Sequence, residues 1–351
     1  MVRLSERVRP LPWKSSEPAT PKLVFRTARE EEAPELKALY ENAWGCGITI
    51  DEGQIRSKIR SFPEGQIVGI EPDTGRPVSM INVMLGSFAA WRGFRGGYEE
   101  VTGGRTFSTH VPIESLLELA GETSTLPVAF CVSIAVRKAY AKNGYALETL
   151  DQAIRFSEEN GLFAVPYSAP RGLSAARELN PRLDIETYLH MTVPSGIPYE
   201  EHLARVRRIN SIGRISRAFK RSSGSCGLME VTGSIYAELQ AAGPDSPLMN
   251  RSEMAYFRFF GREGEAFFNA YGRYPLIEDF CLLSGRKMLD PVMRMHVDNG
   301  ARFVRDESAR LSAVFADSRP EDTAALGYNV LLTYGYHPLL GQDYVESQTS
   351  P

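Results

Sequence analysis

The sequence is short of the residues that build metal and redox centres. It has four cysteines (Cys46, Cys131, Cys226, Cys281) and five histidines (His110, His190, His202, His296, His337) in 351 residues. No cysteines stand in pairs and no two histidines lie close together, which excludes a local zinc motif or a C-x-x-C redox site. Cys131 sits inside an apolar strand pattern, where cysteine acts as a small buried hydrophobe. Scattered cysteines point to a reducing, cytoplasmic setting. Long apolar runs are missing too, since none approaches the roughly 20 residues that cross a bilayer. Excess charge of one sign is absent: 40 basic side chains face 43 acidic ones, for a net charge of -3. Nothing global therefore draws the chain to nucleic acid or to a membrane. There is no G-x-G-x-x-G, no Walker A loop and no nucleophile elbow, so neither a dinucleotide fold nor a serine hydrolase is indicated.

What is present is an ordinary globular composition, 43% apolar and 24% charged, with enough apolar side chains for a full core. The arginine-bearing segment 1–21 reads as a flexible lead-in, 22–340 as the folded domain and 341–351 as a tail. Alternation predicts strands at 22–28, on either side of the turn "PDTG", at 126–136 and at 162–168. Helical spacing predicts helices at 31–45, 51–62 and 145–161, the last with Ala146, Leu150, Ala153 and Ser157 on one stripe. Residues 86–126 read as one long glycine-rich loop. Residues 170–289 read as a large, mainly helical insertion. After it, Asp290 and Pro291 open a helix that Gly300 ends, and strands follow at 301–307 and 328–336. The class is mixed α/β with one central sheet.

The stretch "VRKAYAKNGYAL", residues 136–147, joins the apolar strand to the next helix. A helix start offers N–H groups and the positive end of the dipole, which suit an anion. With a single glycine it reads equally as a plain turn capped by Asn143 and Gly144.

The longer segment "VSIAVRKAYAKNGYALETLDQAIRFSEENGL" (132–162) resembles the acyl-CoA-binding core of the GNAT acyltransferase superfamily, in which a strand ending I-x-V leads to Q/R-x-x-G-x-G/A. Gly144 and Ala146 fit the pattern, while Ala141 replaces the usual Gln or Arg. The resemblance covers roughly 22–168 and 290–336. It implies a GNAT fold and an acyl-CoA, acetyl- or malonyl-CoA, as co-substrate with no metal. It implies a pyrophosphate held by the loop of Lys138, Ala141, Lys142, Asn143, Gly144, Tyr145 and Ala146. The pantetheine arm would add along Ile134, Ala135 and Val136. Where the family's last helix carries an acidic tyrosine, four residues before a glycine, this chain has His296. An imidazole with a pKa near about 6.5 is a sensible proton donor to a leaving thiolate; a packed core histidine is the competing reading.

"DPVMRMHVDNGARFV" followed by "SRPEDTAALGYNVLLTY" is similar to the C-terminal segment of the GNAT-like loading domains of polyketide synthases, as are Trp44 and the Thr109-His110 pair. Some of those domains decarboxylate malonyl-CoA or load a carrier protein. The strand "VPYSAP" carries no histidine here, which argues against decarboxylation. His110, in a glycine-rich loop, is a candidate base or an exposed loop residue. Ser133 is a candidate hydrogen-bond donor to the substrate or a strand serine satisfied by backbone. The basic run 203–221 is a dock for an acidic carrier protein or a solvated face, and the aromatics of 256–271 are the insertion's core or an acyl tunnel.

Three functions follow. The first is acyl transfer from coenzyme A to the amine of a small molecule in specialised metabolism. The second is S-acyl transfer to an acyl carrier protein, with or without decarboxylation. The third is non-catalytic acyl-CoA binding. A homodimer is the assembly considered.

Overall fold

The computed structural model describes residues 23–45, 50–88, 113–122, 126–141, 143–179, 181, 183, 185–194, 276–304, 314–316 and 322–334. His110, Lys142, the basic run 203–221 and the aromatics 256–271 lie outside them.

The edge strand β1 (Val24–Thr27) is half exposed, whereas β2 (Gln66–Ile70) is buried throughout. Next come β3 (Pro77–Phe88), β4 (Leu126–Val136), β5 (Phe163–Ser168), β8 (Arg302–Phe303), β9 (Val314–Phe315) and β10 (Asn329–Thr333). They form one sheet in the order β1-β2-β3-β4-β5-β10-β8, with β9 also on β10. Every pairing is antiparallel except β4 with β5. The mixed α/β class with a mixed central sheet is thus observed.

Helices cover both faces. On one side lie α1 (Ala33–Trp44) and α2 (Glu52–Ser61). Pro34 opens α1, and Asp51 caps α2 by accepting from the Gln54 N–H. Leu36, Leu39 and Tyr40 of α1 and Ile55 and Ile59 of α2 bury against Val68, Met80 and Ala135. On the other side lies α4 (Tyr145–Glu159), which buries Tyr145, Thr149, Leu150, Ala153 and Ser157. The predicted stripe is therefore rotated slightly, and Ala146 falls on its margin. A buried bond of 2.7 Å from Thr149 to Ser79 ties α4 to β3.

One expectation is corrected: the stretch read as one loop holds the end of β3 and a helix, α3 (Ile113–Glu122). The insertion's described ends are mainly helical, with two short strands. Besides α5 (Leu173–Leu179), α6 (Ile185–Leu189) and α7 (Ile277–Ser284), they pair β6 (Thr192–Pro194) with β7 (Arg286–Met288) in a separate small sheet. After β7 runs α8 (Pro291–Asp298), packed on the same core cluster as α4.

Candidate functional site

Two irregularities in β4 make the site. The first is a bulge. Asn82 of β3 pairs with Ser133, but its neighbour Val83 pairs with Cys131, so Val132 is left over. An extra residue reverses the alternation of side chains beyond it. Cys131 faces the α4 side with Val83, while Ser133 is turned to the α1 side with Asn82. The second is a parting of strands. β4 and β5 pair from Val128–Phe163 to Cys131–Pro166 and no further. Proline has no N–H to continue a ladder. Both strands run on, β4 to Val136 and β5 to Ser168, leaving a wedge between them. Burial changes at the same point, because β4 is buried from Pro127 to Val132 and partly exposed at Ser133, Ile134 and Val136.

Ser133 does not stand alone. The Asn82 amide donates to the Tyr40 hydroxyl and, at 2.8 Å, to Ser133 Oγ. The Tyr40 hydroxyl also bonds Ser133, and burial pushes its pKa up to about 12. The Tyr40 ring packs on Trp44, centroids 4.8 Å apart. With both amide protons used, Asn82 Oδ1 is left buried and unpaired. The flipped amide would strand two donors instead of one acceptor, a worse arrangement. Ser133 Oγ thus accepts from the Asn82 amide and shares a bond with the Tyr40 hydroxyl.

The wedge leads to the start of α4. Gly144 is the N-cap, with φ 83, and no side chain caps the helix there. A left-handed N-cap strongly favours glycine. The Leu147 and Glu148 N–H groups turn back onto the Gly144 carbonyl. Gly144, Asn143, Ala141 and Lys138 are exposed. A Cβ on Gly144 would meet nothing within 4 Å, so the space above the helix start is open. The loop's stem is held in place. Lys138 N–H donates to Asn42 Oδ1 of α1 at 2.8 Å, and Arg137 Nε donates to the Pro77 carbonyl at 2.8 Å. Tyr145 is buried beside Leu23 and Val78, and Ala135 is buried under α1. Those two residues offer the site only backbone.

His296, on α8, is 2% exposed. Its Nε2 lies 2.7 Å from Ser168 Oγ and its Nδ1 3.0 Å from the Tyr334 hydroxyl. Burial pushes its pKa down to about 3. Both of its ring nitrogens are paired inside the protein. At pH 7 it is neutral, and it touches Ser168 before anything in the wedge. Asp290 anchors the helix that carries it. Its carboxylate accepts from Val292 N, Met293 N, Gly172 N and the Tyr188 hydroxyl, each at 2.9 Å.

Cys131 sits at the last β4–β5 pair, but burial pushes its thiol to about 12, which removes it as a nucleophile. Among the described residues no group of three His, Cys, Asp or Glu side chains is placed to hold a metal.

No protein-family model and no curated protein matches the chain. Its structure is similar to that of the GphF GNAT-like decarboxylase in complex with isobutyryl-CoA, at 13% identity over 89% of this chain and 98% of that one, with a TM-score of 0.42. It is similar also to the loading GNATL domain of CurA from Lyngbya majuscula, at 13% identity over 89% and 96%, TM-score 0.42. A mosquito arylalkylamine N-acetyltransferase like 5b matches 45% of this chain and 82% of its own, at 11% identity and a TM-score of 0.28.

Of the residues expected from the sequence, the structure strings Ser133 to Val136 and Lys138 to Ala146 along one wedge and loop, with Lys142 outside the described residues. His296 and Ser133 sit on opposite faces of the sheet, reached from opposite arms of the wedge. Tyr40, Asn82, Ser168 and Tyr334 escape sequence reasoning, because their bonds span 42, 51, 128 and 38 residues. Asn82 and Ser168 did leave a trace, as polar residues inside the apolar strands "SMINVML" and "FAVPYS".

Proposed function

We propose that this chain is an acyl-CoA-dependent acyltransferase. The observation that carries the reading is the wedge. Beyond Cys131 the edge of β4 is released by β5 and ends at an uncapped, glycine-opened helix start. An extended amide-bearing arm can pair with such an edge, and a pyrophosphate suits the helix start. Together they fit the two ends of coenzyme A and set the thioester beside the bulge and Ser133. The acceptor's heteroatom attacks the thioester carbonyl, the C–S bond breaks, and the acceptor's proton ends on the coenzyme A sulfur. Ser133 O–H donates to the oxygen as negative charge grows there. One positioned donor of this kind is worth about 10²–10³ in rate.

The acceptor expected from the resemblance is a small-molecule amine. One observation favours a second reading, a carrier-protein thiol. An ammonium must lose a proton before it attacks, and among the described residues His296, its pKa pushed down by burial, is a weak base for that task. A thiol with a pKa of about 8.5 supplies thiolate unaided.

The test is calorimetric titration with coenzyme A, acetyl-CoA and malonyl-CoA, followed by turnover with a panel of amines and a phosphopantetheinylated carrier protein. Binding and acyl transfer are expected. Tight binding with no transfer to any acceptor and no loss of carbon dioxide would leave an acyl-CoA-binding protein. No binding at all would overturn the proposal.

A further inference from the structure

We propose that Ser168 is a second hydroxyl donor to the substrate carbonyl, set in place by His296 and Tyr334. This rests on the acyl-CoA reading of the wedge. Ser168 is the last residue of β5, two past Pro166, as Ser133 is two past Cys131. The two serines therefore lie equally far along the diverging arms, and the bulge turns them to opposite faces. Ser133 faces the α1 side, and Ser168, through His296, faces the α8 side.

Hydrogen-bond accounting gives the chain a direction. The His296 carbonyl already accepts from Asn299 N at 3.1 Å and Ala301 N at 3.0 Å, which fills its two lone pairs. The Tyr334 hydroxyl is 3.4 Å from that carbonyl but 3.0 Å from His296 Nδ1. A hydroxyl bond is normally no longer than about 3.0 Å, so the Tyr334 proton lies on Nδ1. His296 then carries its own proton on Nε2 and donates it to Ser168 Oγ at 2.7 Å. Burial holds both ring systems neutral, raising Tyr334 and lowering His296. The chain thus runs one way, from Tyr334 to His296 to Ser168. The Ser168 proton points on, away from both. Ser168 is 9% exposed against 2% for His296, so the serine is the end of the chain nearer the surface. Ser168 is the catalytic group in this scheme, and His296 and Tyr334 are positioning residues. No proton is transferred along the chain; it supplies a second neutral donor to the developing oxyanion.

The experiment pairs turnover and coenzyme A binding with nitrogen NMR of histidine-labelled protein. Wild type is expected to show His296 as the Nε2–H tautomer and to bind coenzyme A. Ser168→Ala should lose about 100-fold in kcat while binding coenzyme A within threefold of wild type. Ser168→Thr should restore most of the rate. Tyr334→Phe should move the His296 proton to Nδ1 and cost rate without changing the coenzyme A affinity. An Nδ1–H tautomer in wild type overturns the proposal. So does a Ser168→Ala enzyme that binds coenzyme A and turns over normally. Wild type that binds no coenzyme A, whatever its tautomer, overturns the acyl-CoA reading and the role of Ser168 with it.

Discussion

At Asn82 an amide with two donors and two acceptor positions is buried with only its donors used. An orphaned buried acceptor costs about 1–3 kcal/mol, a cost that a role of Asn82 in holding Ser133 for the proposed chemistry would account for. Ser133→Ala should therefore lower kcat by about 10²-fold and leave the melting temperature within a few degrees. Tyr40→Phe, which removes one of the two bonds to Ser133, should cost less. Steady-state kinetics and thermal melts on the two variants check the order. His296 allows a sharper test. Its folded pKa of about 3 lies below the ordinary value of 6.5, so the fold binds its neutral form. The stability it contributes is complete above about pH 6.5 and is lost as pH falls toward about 3. Between pH 6.5 and 5, wild type should lose stability more steeply than His296→Gln, by up to about 1.4 kcal/mol per pH unit. Denaturant unfolding across that window measures the difference, and parallel curves would count against the burial argument.

At the scale of elements, patterns within one segment show in the sequence and relations between segments do not, for physical reasons. The strand, turn and helix of 126–161 were legible because period-2 and period-3.6 patterns meet there at Gly144. The parting of β4 from β5 was not, because a wedge is a relation between strands and leaves no periodicity in either one. Pro166 was its nearest local sign. The bulge was invisible too, since one extra apolar residue in "AFCVSIAV" looks like the rest of a buried strand. Helix α3 was missed because glycine-rich stretches before it set the tone of the whole segment. The helix start can be tested as an element. Gly144 holds φ 83, so Gly144→Ala should cost about 1–2 kcal/mol through backbone strain alone. Ala146→Glu sets a negative charge in the first turn, where the fold itself tolerates one. It should weaken coenzyme A at least tenfold while leaving the melting temperature near that of wild type. Calorimetry on both variants separates strain from lost anion binding.

Across the whole molecule, Asp290 joins parts of the chain that the long insertion separates. Its four bonds tie α8 to Gly172, before α5, and to Tyr188 of α6. Burial raises its carboxyl and the four donors oppose that rise, so the group is costly to leave unmatched. The sequence marked Asp290 correctly as a helix cap, but a cap alone is worth about 1 kcal/mol. Removing it also strands the buried Gly172 N–H, far away in sequence, at about 1–3 kcal/mol, and takes one partner from Tyr188. Asp290→Ala should therefore lose about 2–4 kcal/mol, beyond a cap. The loss should reach the wedge as well, since α8 carries His296 and so sets Ser168. Ligand linkage tells the two effects apart. Coenzyme A at about 100 times its Kd adds about 2.7 kcal/mol to whichever protein binds it with that Kd. If Asp290 acts only through stability, saturating coenzyme A should return much of the melting temperature and kcat should recover with it. If it also positions α8, the melting temperature should recover and kcat should remain low. The second outcome is expected, and thermal melts with matched kinetics, with and without coenzyme A, decide between them.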